Sequence, residues 1–565
     1  MSKPPLPAFR FDQFYRYEEL TALLRECVQA RPQLLRMESI GKSYEGRELW
    51  LLVVTQQATG PDTDKPAFWV DGNIHAAELT ASTACLYWLD QLLKGYGHDE
   101  AVTHLLDTRV VYLVPRLCPD GAELALAKRP RHIRSSTRAY PWDEPVVEGL
   151  VSEDMDGDGR ILTMRIQDPH GTYKACSADA RLMVPREPGE FGGTYYRLIP
   201  EGRLLNYDGV RIQWQPDREG LDLNRNFPAY WRQEFEQKGA GPYPTSEPEV
   251  RAMVDFIARH PNIGAAVSFH THSGVILRPM GTQSDDDMTP EDLWMIKRLS
   301  DLGQQLTGYP AVSIFHEFKY HPKETITGTQ DWVYEHQGAL FWTVEIWAPN
   351  KEAGIQDYQW IEWYRDHPVE DDLKLLQWSD EHCGGQAHVD WYPYEHPQLG
   401  PVELGGWDRM NFWRNPPAHL REREVARFPG WLQQLALSLP RLELLHTQVQ
   451  ALGEDTYRVR VAVANAGYLP SFVTRRALER KIVRGTVFEL SLPPGAQLVS
   501  GSTRVVGPHL EGHAPKTTLQ SVPERNVTAD RAVAEWWVRG QPGMELSCRV
   551  TADRAGSVVT QVRLA

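Results

Sequence analysis

The chain has 565 residues, with 75 acidic against 60 basic side chains and a formal net charge of −15. That balance disfavours partners with phosphate backbones or anionic lipid surfaces, and 19 Trp, 22 Tyr and 16 Phe supply too much apolar surface for a disordered chain. The length admits three or four units of roughly 150 residues, or one long α/β domain with a smaller partner.

No apolar run approaches the roughly 20 residues of a membrane span. Residues 1–10 lack the apolar core and small-residue cleavage site of a signal peptide. The cysteines Cys27, Cys85, Cys118, Cys176, Cys383 and Cys548 contain no C-x-x-C pair, so they read as buried free thiols. The expected location is the cytoplasm, with no nucleic-acid or membrane partner.

Residues 10–36 carry helical apolar spacing through Phe14, Leu20, Leu23, Leu24 and Cys27. Buried-strand runs follow at 49–54, 66–70 and 110–114, with an apolar-faced helix at 81–96 between the last two. Continuous apolar strands alternating with helices predict an α/β fold with a mixed, mostly parallel sheet and helices on both faces. From 139 to 221 the rhythm gives way to Pro, Gly, Asp and Tyr, which reads as an insertion. It resumes with a helix at 247–260, a strand at 263–269, a helix at 290–307 and a strand at 339–346. Residues 350–440 are Trp-rich and mixed, with a helix near 430–437. From about 441 the apolar period becomes two, so 1–440 reads as the main domain and 441–565 as a β-sandwich.

The chemistry-bearing pattern is His-x-x-acid, which with 19 His and 75 acids arises several times by chance. It occurs at His75/Glu78, His104/Asp107, His321/Glu324, His367/Glu370 and His419/Glu422. Context separates them, because ligand sites in open α/β sheets form beyond the carboxyl ends of strands. His75 follows the strand 66–70 directly. Two other strand ends carry candidates: 263–269 runs into His270, and 339–346 holds Glu345 inside an apolar run, where a carboxylate is costly without a task or a partner. Two His and one Glu form a catalytic type of zinc site with a fourth position open to water. Asp222 is the candidate to orient a ligand imidazole.

These residues carry a resemblance. The segments Ile40-Gly-Lys-Ser-Tyr-Glu-Gly-Arg47, Gly72-Asn-Ile-His75-Ala-Ala-Glu78, Pro119-Asp-Gly121 and Asp222-Leu-Asn-Arg-Asn-Phe227 occur in that order. Ser246-Glu-Pro-Glu249, Ser268-Phe-His270, Asp331-Trp332 and Thr343-Val-Glu345 complete the set. The chain resembles the M14 (carboxypeptidase A-like) zinc carboxypeptidases. The resemblance implies zinc ligands His75, Glu78 and His270, and Glu345 as the base that activates a zinc-bound water. It implies that Asn224 and Arg225 grip a substrate's terminal carboxylate and that Arg134 polarises the scissile carbonyl, with Arg129, Arg131 and Arg138 left open as alternatives to Arg134. The expected substrate is a peptide or small amide with a free carboxylate.

Three features depart from the family pattern. Lys323 stands at the ungapped position of the family's mobile tyrosine, which leaves Tyr320 as the candidate. Gln330, before Asp331, is neither apolar nor acidic, so no side-chain preference carries over. The 139–221 stretch is much longer than the family core needs, and it is expected to roof part of the cleft. It also holds Asp154-Met-Asp156-Gly-Asp158-Gly159, a D-x-D-x-D-G pattern suited to Ca²⁺. Its twelfth position is Arg165 rather than Glu, with Asp168 the alternative closing ligand. Two rival functions stand beside the peptidase: an N-acyl amino acid deacylase of the aspartoacylase-like branch, and a non-catalytic protein that holds peptide C-termini.

Overall fold

The computed structural model describes residues 4–215, 218–319, 321, 323, 325–516 and 526–565. At its centre is an eight-stranded mixed sheet. Its strands run, in spatial order, Leu35–Lys42, Glu48–Val54, Val110–Val114, Ala67–Gly72, Ile263–Thr271, Leu340–Ile346, Val275–Arg278 and Ala311–Ser313. The four in the middle are mutually parallel. Every residue of Ala67–Gly72, Val110–Val114 and Ile263–Thr271 is buried, as strands covered on both faces require. Helices Tyr17–Ala30, Leu79–Gly95, Glu100–Thr108 and Pro290–Thr307 help bury one face, and Pro248–Arg259 packs on the other through Val250, Met253, Phe256 and Ile257.

The chain leaves Ala67–Gly72, passes through two helices and returns as Val110–Val114 on one side. It later adds Ile263–Thr271 on the other. The strand order therefore reverses at the carboxyl end of Ala67–Gly72, and a reversal of that kind opens a crevice.

Some local expectations change. The first helix is confined to Tyr17–Ala30, and the apolar positions beyond it belong to the edge strand Leu35–Lys42. The 139–221 stretch contains six short strands. Four of them, Thr163–Gln167, Tyr173–Ala175, Met183–Pro185 and Tyr196–Pro200, join the later hairpin His388–His396/Gly400–Trp407 in one six-stranded sheet. The stretch thus shares a sheet with residues more than 200 positions away. Beyond Pro440 lie two four-stranded antiparallel sheets. Their inward residues, among them Val459, Val461, Trp536, Val538, Leu546, Cys548 and Val550, form a separate apolar core. No described helix is long and apolar enough to cross a membrane.

Candidate metal centre and its cleft

The loop after Ala67–Gly72 is held by its own polar groups. Buried Asn73 adopts φ 60°, and its amide donates to the carbonyls of His75 (2.6 Å) and Ala76 (3.2 Å). Ala76 N–H donates to the Arg134 carbonyl at 2.9 Å. These bonds fix His75 at the strand end and place Glu78 just before helix Leu79–Gly95. His270 comes from the adjoining strand, where the register sets it beside Glu345.

His75 Nδ1 lies 3.0 Å from Glu78 Oε1 and 3.1 Å from His270 Nδ1, and His270 Nδ1 lies 3.2 Å from Glu78 Oε2. All three residues are buried. Zinc bonds of about 2.0–2.1 Å at tetrahedral angles put neighbouring ligand atoms roughly 3.3 Å apart, so the spacing fits. The tautomers fit as well. His75 Nε2 faces Asp222 Oδ1 at 3.1 Å, and His270 Nε2 faces Ser268 Oγ at 3.3 Å. If each Nε2 carries the proton toward its partner, both Nδ1 lone pairs and a carboxylate face one another. Such a set of acceptors suits a cation at its centre.

Carboxylates outside the trio support it. Ser268 Oγ donates to Asp71 Oδ1 at 2.6 Å and Trp69 Nε1 donates to Asp71 Oδ2 at 2.6 Å. Burial nonetheless lifts Asp71 to about 6. Asp222 is held well below the usual carboxylate range: burial opposes ionisation, but Arg134, Arg225 and His75 outweigh it. Burial pushes Glu345 up to about 7, with Glu78 adding and His270, Arg134 and Arg414 opposing. Among the described residues the Glu345 carboxylate has no hydrogen-bond partner.

Arg134 Nε donates to Asp222 Oδ2 at 2.8 Å, and its Nη1 lies 3.3 Å from Glu78 Oε1. Arg134, Asp222 and Arg225 line a cavity of about 1180 Å³. Tyr140, Trp142, Arg218 and Glu219, from the two ends of the 139–221 stretch, form part of its wall. Asn224 Oδ1 accepts from Thr329 N–H (2.9 Å) and Thr329 Oγ (2.8 Å). Gln330 is buried and donates to Asp331 Oδ2 at 3.0 Å, and it is absent from that cavity wall. Tyr320 lies outside the described residues. Of the alternatives to Arg134, Arg138 pairs with buried Glu247 and Arg131 with Glu219.

Several motif pieces turn out to build the scaffold. Asp120 accepts from Ser43 Oγ and Arg47 Nη1, both at 2.7 Å, and Glu249 accepts from Tyr44 N–H at 2.9 Å. A Cβ on Gly121 would sit 2.2 Å from the Ser135 carbonyl oxygen. In the acidic loop, carboxylate oxygens of Asp154, Asp156 and Asp158 come within 4.8 Å of one another. Asp154 accepts from the amides of Gly157 and Gly159, Asp156 from Tyr392 and Asp158 from Arg160. Arg165 pairs with Glu403 and Asp168 with Arg197, while buried Glu201 bridges the loop through the amides of Met155 and Leu162. Each of the three carboxylates thus has a hydrogen-bond partner within the protein.

Asp71 and the turn Arg409–Arg414 carry no motif signal in the sequence, and Ser268 enters it only through the segment Ser268-Phe-His270. Asp71 and Ser268 are paired by strand register alone.

A family profile described as zinc carboxypeptidase matches residues 20–143 and 203–360, and a profile for a domain of unknown function matches 441–563. Carboxypeptidase A2 of Rattus norvegicus is 24% identical over 335 residues, covering 58% of this chain and 61% of the relative. Carboxypeptidase A1 of Sus scrofa is 23% identical over 350 residues, covering 59% and 62%. The chain thus spans about three fifths of the length of these curated relatives. A crystal structure of carboxypeptidase A from Helicoverpa armigera aligns at 17% identity with a TM-score of 0.42, covering 68% of this chain and 77% of that one.

Proposed function

Through residues 20–143 and 203–360 the chain belongs to the zinc carboxypeptidase family, and from that premise we propose that it is a zinc-dependent metallocarboxypeptidase, which hydrolyses the amide bond next to a peptide's free C-terminal carboxylate. The observation that carries this reading is the meeting of His75, Glu78 and His270 at one buried point, with Glu345 beside His270 on the next strand.

Zinc held by His75, Glu78 and His270 would supply Lewis acidity, acidifying water and polarising the amide carbonyl. The remaining work belongs to the chain's own groups. Arg225 and the Nδ2 donors of Asn224 grip the terminal carboxylate, since the Asn224 oxygen is already committed to Thr329. Arg134, held in place by Asp222, faces the negative charge that develops on the carbonyl oxygen. The Glu345 carboxylate takes the proton of the attacking water and delivers it to the leaving nitrogen. Its elevated proton affinity suits a group that must both accept and return one.

Metal analysis is expected to give one zinc per chain. Chelation should abolish hydrolysis of N-blocked peptides with a free C-terminus, and added zinc should restore it. The Glu345→Gln protein should keep its zinc and lose roughly 10²–10⁴ in kcat. Equal hydrolysis of C-terminally amidated peptides would overturn the role of Asn224 and Arg225. Faster hydrolysis of N-acyl amino acids than of peptides would make the protein a deacylase.

A further inference from the structure

A second cavity, of about 380 Å³, has in its wall His272, two residues past His270. It shares no lining residue with the Arg134–Arg225 cavity. Its walls come from the 163–198 segment, His272, Tyr364 and the turn Arg409–Arg414.

That turn is a π-helix, whose i→i+5 closure brings Arg409 and Arg414 one above the other. Both arginines line the cavity. Among the described residues neither guanidinium has a hydrogen-bond or ion-pair partner. The other charged groups in the wall are matched: Arg181 pairs with Asp179 (2.9 Å) and Asp380 (2.8 Å), and Asp372 lies 3.3 Å from His367 Nε2. Burial pushes the His388 imidazole down to about 4. Two cationic forks are therefore left without a paired carboxylate among the described residues.

The turn is anchored to the metal loop. Asn415 Oδ1 accepts from Thr80 N–H and Thr80 Oγ at 2.9 Å, and its Nδ2 donates to the Ala77 carbonyl at 2.9 Å. These contacts clamp both flanks of Glu78. Burial lowers Arg414 from its ordinary value, and Glu78 and Glu345 oppose that shift. On the opposite wall His272 stands two residues past His270 and lies 3.3 Å from the Tyr364 hydroxyl.

We propose that this cavity is an anion-binding subsite in which Arg409 and Arg414 hold a carboxylate on the acyl side of the scissile bond, so that the substrate class is acidic peptides. Two guanidiniums in one wall match a carboxylate in geometry as well as charge. The assignment of sides rests on the proposed function, which puts the terminal carboxylate at Asn224 and Arg225, the latter in the wall of the other cavity, and so leaves this cavity to the acyl portion. Both arginines follow the last residue matched by the zinc carboxypeptidase profile, 360.

The test uses the zinc-loaded Glu345→Gln protein titrated calorimetrically with N-blocked peptides. These carry Glu or Gln at either of the two residues before a C-terminal Ala. The Glu peptide should bind at least tenfold more tightly than its Gln counterpart at one of these positions. Adding Arg409→Gln or Arg414→Gln should remove the preference and leave the affinity for the Gln peptide unchanged. Equal binding of Glu and Gln peptides at both positions would overturn the subsite. Glutarate titrated into the Arg225→Gln protein separates this from failure of the peptidase reading. Binding there that is lost on adding Arg409→Gln supports the subsite whether or not any peptide is cleaved, and no binding overturns it.

Discussion

Two imidazole nitrogens facing each other at 3.1 Å are stable neighbours only when a cation lies between them or a proton is shared. At His75 that arrangement depends on Asp222, which accepts from Nε2 and is itself braced by Arg134. Asp222→Asn should therefore weaken zinc binding about 10- to 100-fold, as loss of an outer carboxylate usually does. Competition with a chromophoric chelator measures this, and unchanged affinity would remove Asp222 from that role. Asp331 offers a different test. Burial first, then Glu335, push its carboxyl up to about 7 against the Gly281 amide that favours ionisation. A carboxyl raised in the folded state contributes stability that is complete below its ordinary range near 4 and is lost as pH rises through about 7. Between pH 5 and pH 8, Asp331→Asn should thus gain about 2–3 kcal/mol on the wild type. Urea unfolding at the two pH values checks it; parallel behaviour would mean that Asp331 is ionised throughout. The site was legible where chemistry coincided with a strand end, as at His75, His270 and Glu345. Asp71 and Ser268 were not legible, because their bond joins positions 197 apart through register alone. Gln330 could be located in the chain but not oriented, since its amide turns to Asp331 within the same helix.

At the scale of elements, helix Leu79–Gly95 begins beside a metal ligand, and its first residues are held by a side chain from far along the chain. Asn415 is fully buried and satisfies Thr80 and Ala77 together. Asn415→Ala would strand several buried donors and acceptors, each costing about 1–3 kcal/mol. Global stability should fall by at least about 2 kcal/mol in urea unfolding, and zinc affinity should fall with it because Glu78 loses its flanking support. A stability loss with zinc affinity intact would separate the clamp from the site. The central strands and long helices were readable because continuous apolar runs and 3.6-residue spacing are strong patterns. The six-stranded sheet was not. Its strands Tyr173–Ala175 and Met183–Pro185 are three residues long, and pairing of Thr163–Gln167 with Gly400–Trp407 leaves no local trace.

Across the whole molecule, one short helix connects the substrate side to the C-terminal sheets. Thr329–Gln337 meets Asn224 at its first residue, and at its far end the Gly338 carbonyl accepts from Thr474 and from Arg554 Nη1 at 2.9 Å. Arg554 also reaches the Gln337 carbonyl. It is buried, and burial lowers it to about 10, so it stays charged and committed to these carbonyls. Along the helix, buried Glu335 pairs with Arg480 at 2.6 Å. The alternation that exposed strands Arg531–Arg539 and Glu545–Ala552 to sequence reading is silent about Arg554, which sits in the turn between two strands. Arg554→Met keeps most of the volume and removes the donors. Amides from 332 to 340 should then exchange with solvent about tenfold faster, equivalent to about 1.4 kcal/mol of local stability. Because Asn224 is held by the other end of the same helix, KM for peptides with a free C-terminus should rise while zinc content stays the same. If exchange quickens only within the C-terminal sheets, those sheets are independent of the helix. If it quickens in the helix with KM unchanged, Asn224 is held from the catalytic side alone.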